Sequence, residues 1–358
     1  TMSSPMVFGG SKPKVVIIGG GAGGATAARY IAKDSEGAID VTLVEPTRSY
    51  YTCFYSNLYL GGFRDFDFLG HSYGKLASEL GINVVHDWAV DVDSSGKTVS
   101  LAGGGTLSYD KLILSPGIDF VDNSVPGWDL SSQNKMPHSY KAGSQTQLLN
   151  AQIENMREGG TYCMVAPPNP YRCPPGPYER VSMVAHKLKK TNPSAKILIL
   201  EPKPKFSKQG LFEEGWNKHY SGMIEMIGPE MGGKGVEVRP ASMEVIIDGE
   251  TEKVDVCNVI PAMKAGKIAE FNELRKLIEF FCGANKTENT SNISTNASFT
   301  RAHVFFKRNT GVLFIPQNIL YRLLKLFISW HSPAIRNQCS KTRARDSHVC
   351  GDNTAYVT

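Results

Sequence analysis

The residues from Lys14 to Ile31 constrain the fold more than any other stretch of the chain. Four β-branched residues, Val15–Ile18, predict a buried parallel strand, and an alanine-rich run that predicts a helix follows shortly afterwards. Between them, Gly19, Gly21 and Gly24 have the spacing Gly-x-Gly-x-x-Gly. In such a turn the first glycine permits the tight bend, the second lets a pyrophosphate approach the backbone, and the third lets the helix pack closely on the strand. The start of the helix is therefore expected to bind an anion.

A second strand with an acidic end follows at the distance that this kind of unit requires. Val41–Glu45 is predicted to be a strand, and Glu45 lies about 20 residues beyond the glycines, where a carboxylate accepts hydrogen bonds from a ribose. A glycine hexad alone is weak evidence. The ordered set of strand, hexad, helix, strand and acid predicts a dinucleotide-binding unit.

The bulk properties narrow the class of protein. The 358 residues are enough for two domains, and a hydrophobic fraction of 41% is typical of a globular chain. The sequence contains no run of 18 or more apolar residues, so a membrane span is not predicted. The net charge is +5, and its positive excess lies after residue 270, where there are 12 Lys and Arg and 5 Asp and Glu. The preceding residues are nearly neutral, so nucleic-acid binding is not predicted.

The cysteines do not form a metal-binding pattern. There are seven of them, without the paired C-x-x-C spacing of a zinc site, and their odd number does not describe a simple disulfide framework. No metal site is expected. The N-terminal residues carry no full signal peptide, but Met6–Gly10 resembles the end of a cleaved one.

A second α/β unit begins at residue 161. Its predicted elements are a strand, Thr161–Ala166, a helix, Tyr178–Lys190, and a second strand, Lys196–Glu201. The loop Pro167–Pro177 replaces the glycine turn and contains six prolines, which lack N–H donors and restrict the backbone. NAD(P) binding is therefore not expected in this unit.

The character of the sequence changes after Glu270. Asn285–Ser298 is rich in Asn, Ser and Thr and predicts a linker or disorder. We therefore expect an α/β fold with two Rossmann-like units of the glutathione-reductase type and an atypical C-terminal segment. The predicted domains are 12–150 (FAD-binding, as the resemblance below implies), 151–270 (central, not NAD-binding) and 271–358 (an extension, partly low-complexity).

These segments resemble the flavoprotein subunit of flavocytochrome c sulfide dehydrogenase, a relative of the sulfide:quinone oxidoreductases. The resemblance covers roughly residues 12–270. It rests on the glycine turn Gly19–Gly24, the cysteine segments Tyr50–Asn57 and Tyr171–Arg180, and the shorter motifs Ser115–Gly117, Lys141–Gly143, Phe206–Gln209 and Ile260–Ile268.

The resemblance implies that the first unit binds FAD through Gly19, Gly21, Gly24 and Glu45, near the tight turn at Pro116 and Gly117. It also implies that Cys53, within Tyr-Tyr-Thr-Cys, forms a thioether to the 8α-methyl carbon of the flavin. From the residues alone, a lone cysteine such as Cys53 is more often a small buried apolar side chain.

Cys173 is the stronger candidate for sulfur chemistry. It lies between prolines just before a helix, where the positive helix end is expected to lower a thiol's pKa. The resemblance implies that Cys173 belongs to a redox disulfide: sulfide attacks it, a persulfide forms, and two electrons pass to the flavin. It further implies that Glu179 accepts the proton, although Glu179 alone could equally be a favourable charge at a helix N-terminus.

The sequence departs from the family after residue 270. A Gly-Asp strand end and the partner cysteine of Cys173 are not recognisable there, and Cys282, Cys339 and Cys350 remain as possible partners. The resemblance implies a c-type cytochrome partner and a periplasmic location. The sequence has no C-x-x-C-H haem site, so any haem is expected on another subunit. Two alternatives stay open: a quinone-reducing enzyme that attaches to membranes through the amphipathic segment Ile319–Trp330, and a non-catalytic truncated flavoprotein.

Overall fold

The computed structural model of the protein describes residues 11–270 and two short segments, 305–306 and 312–314. The strands in these residues are β1 (Lys14–Ile18), β2 (Asp40–Val44), β3 (Ser49–Tyr51), β4 (Gly70–Ser72), β5 (Asn83–Val85), β6 (Ala89–Asp93), β7 (Thr98–Leu101), β8 (Thr106–Ser108), β9 (Lys111–Leu114), β10 (Ile118–Phe120), β11 (Thr161–Val165), β12 (Lys196–Leu200), β13 (Ile224–Ile227), β14 (Glu237–Arg239), β15 (Glu244–Ile247), β16 (Glu250–Lys253), β17 (Val256–Val259), β18 (Met263–Ala265), β19 (Phe305–Phe306) and β20 (Val312–Phe314). The α-helices are α1 (Ala22–Asp34), α2 (Ser56–Leu60), α3 (Gly74–Leu80), α4 (Ser144–Glu154), α5 (Gly176–Thr191) and α6 (Gln209–His219).

The chain divides into two compact units. Of the described residues, the first unit contains 11–46, 74–115 and the strands β19 and β20, and the second contains 47–73 and 116–270. This division follows packing, so 47–73 belongs with the second unit although it follows β2 in sequence. The predicted domain boundaries at 150 and 270 describe sequence segments and stay predictions.

The first unit is built on a sheet with the strand order β19-β20-β9-β1-β2-β5. The pairs β1–β2, β1–β9, β2–β5 and β9–β20 are parallel, and β19 pairs antiparallel with β20. The order β5-β2-β1-β9 is that of a Rossmann half, with the carboxyl end of the central β1 at the glycine turn. The fold-class prediction is confirmed, and residues 312–314 of the segment predicted to be atypical extend this sheet.

The glycine turn lets α1 pack directly on β1. Val15–Ile18 are all buried in the sheet, and Ala27, Ala28 and Ile31 form the buried face of α1. A Cβ atom built on Gly24 would lie only 1.8 Å from the carbonyl oxygen of Gly19. A side chain at residue 24 would therefore force the helix away from the strand.

The sequence Leu107–Gly117 predicts one strand that ends in a tight turn. In the structure it contributes to two strands, β8 and β9. Asp110 lies between β8 and β9, where its side chain accepts a hydrogen bond from the backbone N–H of Lys14 at 2.7 Å and its own N–H donates to the Lys14 carbonyl at 2.9 Å. The apolar run predicted one strand, but this bend directs β8 into an antiparallel sheet with β6 and β7, and β9 into the main sheet.

The second unit repeats the plan of the first. Its parallel sheet has the order β13-β12-β11-β17, again that of a Rossmann half. In both units a three-stranded antiparallel sheet lies in sequence between the third and fourth parallel strands: β6–β8 in the first and β14–β16 in the second. A further strand pair, β10 with β18, places Ile118 opposite Ala265.

The core of the second unit lies against α5. Tyr178, Val181, Val184 and Ala185 are fully buried there, together with side chains of β11 and β12. Within the described residues, no helix has the length and apolar character that crossing a membrane requires.

We predict that Gly24→Ala destabilises the first unit by about 3 kcal/mol, because the added methyl group meets backbone atoms that cannot rotate away. Urea unfolding followed by circular dichroism measures this effect. Gly210→Ala in α6 is the matched control, because its Cβ meets nothing within 4 Å. The control should stay within about 1 kcal/mol of wild type. Equal midpoints for the two variants would contradict the close contact.

Candidate functional site

The glycine turn of the first unit presents backbone groups at the start of α1. Gly19 has a φ angle of +98°, which favours glycine, and Gly21 caps the helix in an extended conformation without a side-chain hydrogen bond. The first turn of α1 carries no acidic side chain. An anion would meet the positive end of the helix there without an acidic side chain in the first turn of α1.

Glu45 lies at the end of β2, beside this turn. Its Oε2 atom accepts a hydrogen bond from the N–H of Gly20 at 2.7 Å, and its own N–H donates to the Val85 carbonyl at 2.9 Å. The structure thus brings the predicted acid and the predicted glycines to one edge of the sheet. A helix start with a free cap and a carboxylate at the next strand end fit the pyrophosphate and ribose of a dinucleotide.

The tight turn at Pro116 and Gly117 belongs to the second unit. Gly117 has a φ of +73°, and its carbonyl oxygen accepts a hydrogen bond from the N–H of Gly266 at 3.1 Å. A Cβ on Gly266 would lie 2.8 Å from the Pro116 oxygen. Backbone therefore packs on backbone here, and the turn is held by the segment that follows β18.

Cys53 lies just before α2 in the second unit. It is half-buried, and its carbonyl oxygen accepts hydrogen bonds from the hydroxyl of Ser56 at 2.7 Å and the N–H of Ser56 at 3.2 Å. Tyr55 is held at a φ of +65°. Cys53 thus lies in a hydrogen-bonded turn and is not a fully buried apolar side chain.

Cys173 lies in the proline loop, immediately before α5. The residue is exposed, and its φ of +58° is in the left-handed region, which costs a side chain other than glycine about 1–2 kcal/mol. A Cβ on Gly176 would lie 3.1 Å from the Cys173 sulfur. The sulfur therefore packs directly against the first residue of the helix.

Two tyrosine hydroxyls hold this strained loop. The hydroxyl of Tyr140 lies 2.9 Å from the carbonyl oxygen of Arg172 and 3.1 Å from that of Cys173, and the hydroxyl of Tyr171 donates to the Pro174 carbonyl at 2.8 Å. Each hydroxyl is fixed by a buried ring, since both tyrosines are less than a tenth exposed. Backbone strain of this kind persists where surrounding contacts enforce it, and it is concentrated at functional sites.

The electrostatic environment of Cys173 differs from the expectation. Desolvation of the sulfur raises the pKa of Cys173, and the negative charges of Glu179 and Cys53 raise it further. The hydrogen bond from the N–H of Gly176 and the charge of Arg172 act in the opposite direction without reversing the shift. The expected low thiol pKa is therefore wrong in direction, because desolvation of the sulfur and the charges of Glu179 and Cys53 outweigh the hydrogen bond from Gly176 and the charge of Arg172.

Glu179 lies in the first turn of α5 and is exposed. Its Oε2 atom is 3.5 Å from Nδ2 of Asn57, which also donates to the Gly176 carbonyl at 3.1 Å. Because Glu179 acts on the pKa of Cys173, the structure brings the two predicted catalytic residues together.

The acid at the corresponding strand end of the second unit is already engaged. Glu201 directly follows β12 and is 1% exposed. Its carboxylate pairs with Lys203 Nζ at 2.6 Å and accepts a hydrogen bond from the Tyr178 hydroxyl at 2.5 Å. Lys203 Nζ also donates to the Pro167 carbonyl. The position that would accept a ribose is thus filled by side chains of the unit itself.

His138 is buried beside Phe120, with their ring centroids 4.4 Å apart. Burial, with the charges of Lys141, Arg180 and Arg172, lowers the pKa of His138 to about 3. The imidazole stays neutral at physiological pH, and its Nδ1 accepts a hydrogen bond from the N–H of Tyr140 at 3.0 Å. It supports the backbone below the cysteine loop and is not a proton carrier near neutral pH.

Sequence reasoning did not assign a role to two residues of this site, Arg180 and Asn57. Arg180 lies within the motif that carried the resemblance, but it has no distinguishing spacing, and an arginine on a helix is usually a solvent-facing charge. In the structure it is 2% exposed, and its Nε donates to Oδ1 of Asn57 at 3.2 Å. Residues 57 and 180 are distant in sequence, so only the tertiary structure joins them.

We predict that Glu179→Gln increases the alkylation rate of Cys173 by iodoacetamide at pH 7 by about threefold, because the thiolate is the nucleophile. Glu179 raises the thiol pKa, so its removal lowers that pKa and increases the thiolate fraction at every pH below it. Peptide mass spectrometry measures the rate. Glu158→Gln, an exposed glutamate before β11, is the control and should leave the rate unchanged. A slower reaction in Glu179→Gln would refute this electrostatic assignment.

Two protein families match this chain in adjacent segments. Residues 146–261 match the central region of the flavoprotein chain of sulfide dehydrogenase [flavocytochrome c]. Residues 13–154 match the pyridine nucleotide-disulphide oxidoreductases. The first match covers the cysteine loop and Arg180, and the second covers the glycine turn, Glu45 and Cys53.

Individual relatives agree with these families. The flavoprotein chain of sulfide dehydrogenase [flavocytochrome c] from Chlorobaculum thiosulfatiphilum is 50% identical over 44 residues, which are 12% of this chain and 90% of that sequence. The nitric oxide reductase FlRd-NAD(+) reductase of Shigella dysenteriae is 28% identical over 152 residues, which are 41% of this chain and 39% of that protein. The chain thus spans about two fifths of the length of this second relative.

Among solved structures, the sulfide:quinone oxidoreductase from Aquifex aeolicus has a TM-score of 0.56 at 19% identity, over 72% of this chain and 60% of that one. This likeness shows the fold. The two family matches and the 50% identical relative establish that the chain belongs to the pyridine nucleotide-disulphide oxidoreductases, in the family of the flavocytochrome c sulfide dehydrogenase flavoprotein chain.

Proposed function

We propose that this chain is the flavin-binding subunit of an enzyme that oxidises sulfide or a related sulfur compound and passes the electrons to a c-type cytochrome. The observation that carries the proposal is the strained, exposed Cys173, fixed at the start of α5 beside Glu179. The family to which the chain belongs supplies the class of reaction.

The first unit supplies the cofactor site in this proposal. Gly19, Gly21 and Gly24 form the cradle for the pyrophosphate of FAD, and Glu45 accepts hydrogen bonds from its ribose. A bound flavin supplies an acceptor for two electrons. Cys53 is proposed to hold the flavin covalently through a thioether, since its sulfur lies at a rigid turn and is not fully buried.

Cys173 is the proposed site of sulfur attack. In the oxidised enzyme it would form a disulfide with a second cysteine, and hydrosulfide would attack the Cys173 sulfur. The new S–S bond makes a persulfide on Cys173, and the broken bond releases the partner as a thiolate. The partner is one of Cys282, Cys339 and Cys350, all of which lie outside the described residues.

Glu179 is proposed to take the proton. Hydrogen sulfide must lose a proton to attack as the anion, and Glu179 is an exposed carboxylate in the electrostatic field of Cys173. His138 does not compete for this role, because its low pKa keeps it neutral and it is buried.

The cytochrome is proposed as a separate subunit, because the relatives of this chain are flavoprotein chains of a flavocytochrome. A periplasmic location is proposed with it. The quinone-reducing alternative depends on the segment 319–330, which lies outside the described residues, and no contact in the described part of the chain favours it over the cytochrome.

We predict that Cys173→Ser keeps its flavin but loses at least about 99% of sulfide-dependent flavin reduction, because the hydroxyl cannot take part in disulfide exchange. Anaerobic titration with sodium sulfide, followed at the flavin absorbance maximum, measures this loss, and dithionite reduction confirms that the flavin remains reducible. Wild-type reduction kinetics in Cys173→Ser would eliminate the assigned role.

We predict that Cys53→Ser releases its flavin on acid precipitation, whereas the wild-type protein keeps the yellow colour in the pellet. The variant should retain part of its sulfide-dependent reduction, since Cys53 holds the cofactor and does not attack the substrate. Cys173→Ser is the matched control and should keep the colour in the pellet. Release of all flavin from denatured wild-type protein would disprove the covalent attachment.

A further inference from the structure

Arg180 is a buried charged residue of the second unit that has no role in the proposed reaction so far. Its guanidinium donates only to neutral oxygens: the Asn258 Oδ1 at 2.9 Å, the Asn57 Oδ1 at 3.2 Å, and the carbonyls of Ser139 at 2.7 Å and His138 at 3.3 Å. Within the part of the chain that the structure describes, no carboxylate forms an ion pair with it. A buried cation is ordinarily paired with an anion, because desolvation of an isolated charge is costly.

Arg180 lies one helical turn after Gly176, the residue against which Cys173 packs. Arg180 is four residues after Gly176 on α5, so the two lie on the same face of the helix, about 5–6 Å apart at Cβ. The Cys173 sulfur packs against Gly176, at 3.1 Å from the Cβ position. The guanidinium also lies 5.4 Å from the ring centroid of Tyr140, whose hydroxyl contacts the Cys173 carbonyl at 3.1 Å.

The electrostatic coupling agrees with this geometry. Burial lowers the pKa of Arg180, while negative charge on Cys53 and Cys173 acts to raise it, so both sulfurs lie within its field. Because the attraction is mutual, Arg180 favours the anionic form of each sulfur.

We propose that Arg180 is a positioning residue whose unpaired, buried guanidinium stabilises the negative charge that develops on sulfur at Cys173. The proposal rests on the proposed oxidation of sulfide. It gives the incoming hydrosulfide a fixed positive charge that needs no rearrangement. The same charge stabilises the thiolate of Cys173 that is released when a second hydrosulfide attacks the outer sulfur of the persulfide, forms a new S–S bond with it and carries it away as hydrogen disulfide.

The effect of Arg180 adds to those of the other groups that face Cys173. These are Glu179 from α5, Cys53 from the segment before α2, Arg172 and Tyr171 from the proline loop, and Tyr140 from the segment before α4. Desolvation and Glu179 raise the pKa of the Cys173 thiol, and Arg172 acts to lower it. The mutual attraction between Arg180 and Cys173 acts in the same direction as Arg172.

The test is the pH dependence of Cys173 alkylation by iodoacetamide in the flavin-loaded full chain, measured by peptide mass spectrometry. Arg180→Gln should slow the reaction at pH 8 about tenfold, because loss of the cation raises the thiol pKa and reduces the thiolate fraction. Arg180→Met provides the same comparison if the glutamine variant lacks the wild-type near-ultraviolet circular dichroism.

Arg180→Lys separates charge from hydrogen bonding. Lysine keeps the cation but loses the planar set of donors, so its alkylation profile should stay within about twofold of wild type. A lysine variant as slow as Arg180→Gln, or a glutamine or methionine variant with the wild-type profile, would overturn the proposal and leave Arg180 a structural residue.

The same proteins distinguish this inference from the proposed function. If wild-type protein is not reduced by sodium sulfide but Arg180→Gln still slows alkylation, the charge acts on Cys173 and the sulfide reaction is wrong. If sulfide reduces wild type and Arg180→Gln has the wild-type alkylation profile, the reaction stands and the role of Arg180 is wrong.

Discussion

The guanidinium of Arg180 joins more elements of the second unit than any other side-chain group around the cysteine loop. It links α5 to Asn57 in α2, to Asn258 in β17, and to the backbone of His138 and Ser139 before α4. Because these partners fix both the start of α5 and the segment after Cys53, the placement of the two cysteines depends on this one buried charge. Among the described residues its hydrogen-bond partners are all neutral oxygens, so within that part of the chain no carboxylate compensates its charge.

The two units use one plan for different purposes. In the first, glycines form the turn at the start of α1, and Glu45 accepts a hydrogen bond from the N–H of Gly20 in that turn. In the second, prolines replace the glycines, and Glu201 forms an ion pair with Lys203 and accepts a hydrogen bond from Tyr178. The same strand-turn-helix arrangement can thus carry either a glycine turn or a proline loop that holds a cysteine, because proline restricts the backbone that glycine leaves flexible.

The strain at Cys173 is stabilised by its surroundings. A left-handed cysteine followed by proline is unfavourable in an isolated chain, and it is maintained here by the hydroxyls of Tyr140 and Tyr171. The same contacts desolvate the sulfur and raise the pKa of Cys173. The loop therefore holds the cysteine in place but lowers the fraction of the thiol that is ionised. Nearby cations then stabilise the anion when it forms.

The sequence by itself determined the glycine turn with Glu45, the alternation of strand and helix, and the cysteine segments, since these are local patterns with fixed spacing. It also predicted the absence of a glycine turn in the second unit. Only the tertiary structure decided the bend at Asp110, the grouping of residues 47–73 with the second unit, the direction of the Cys173 pKa shift, and the burial of Arg180. These features depend on desolvation and on contacts between residues far apart in the chain, which no local pattern encodes.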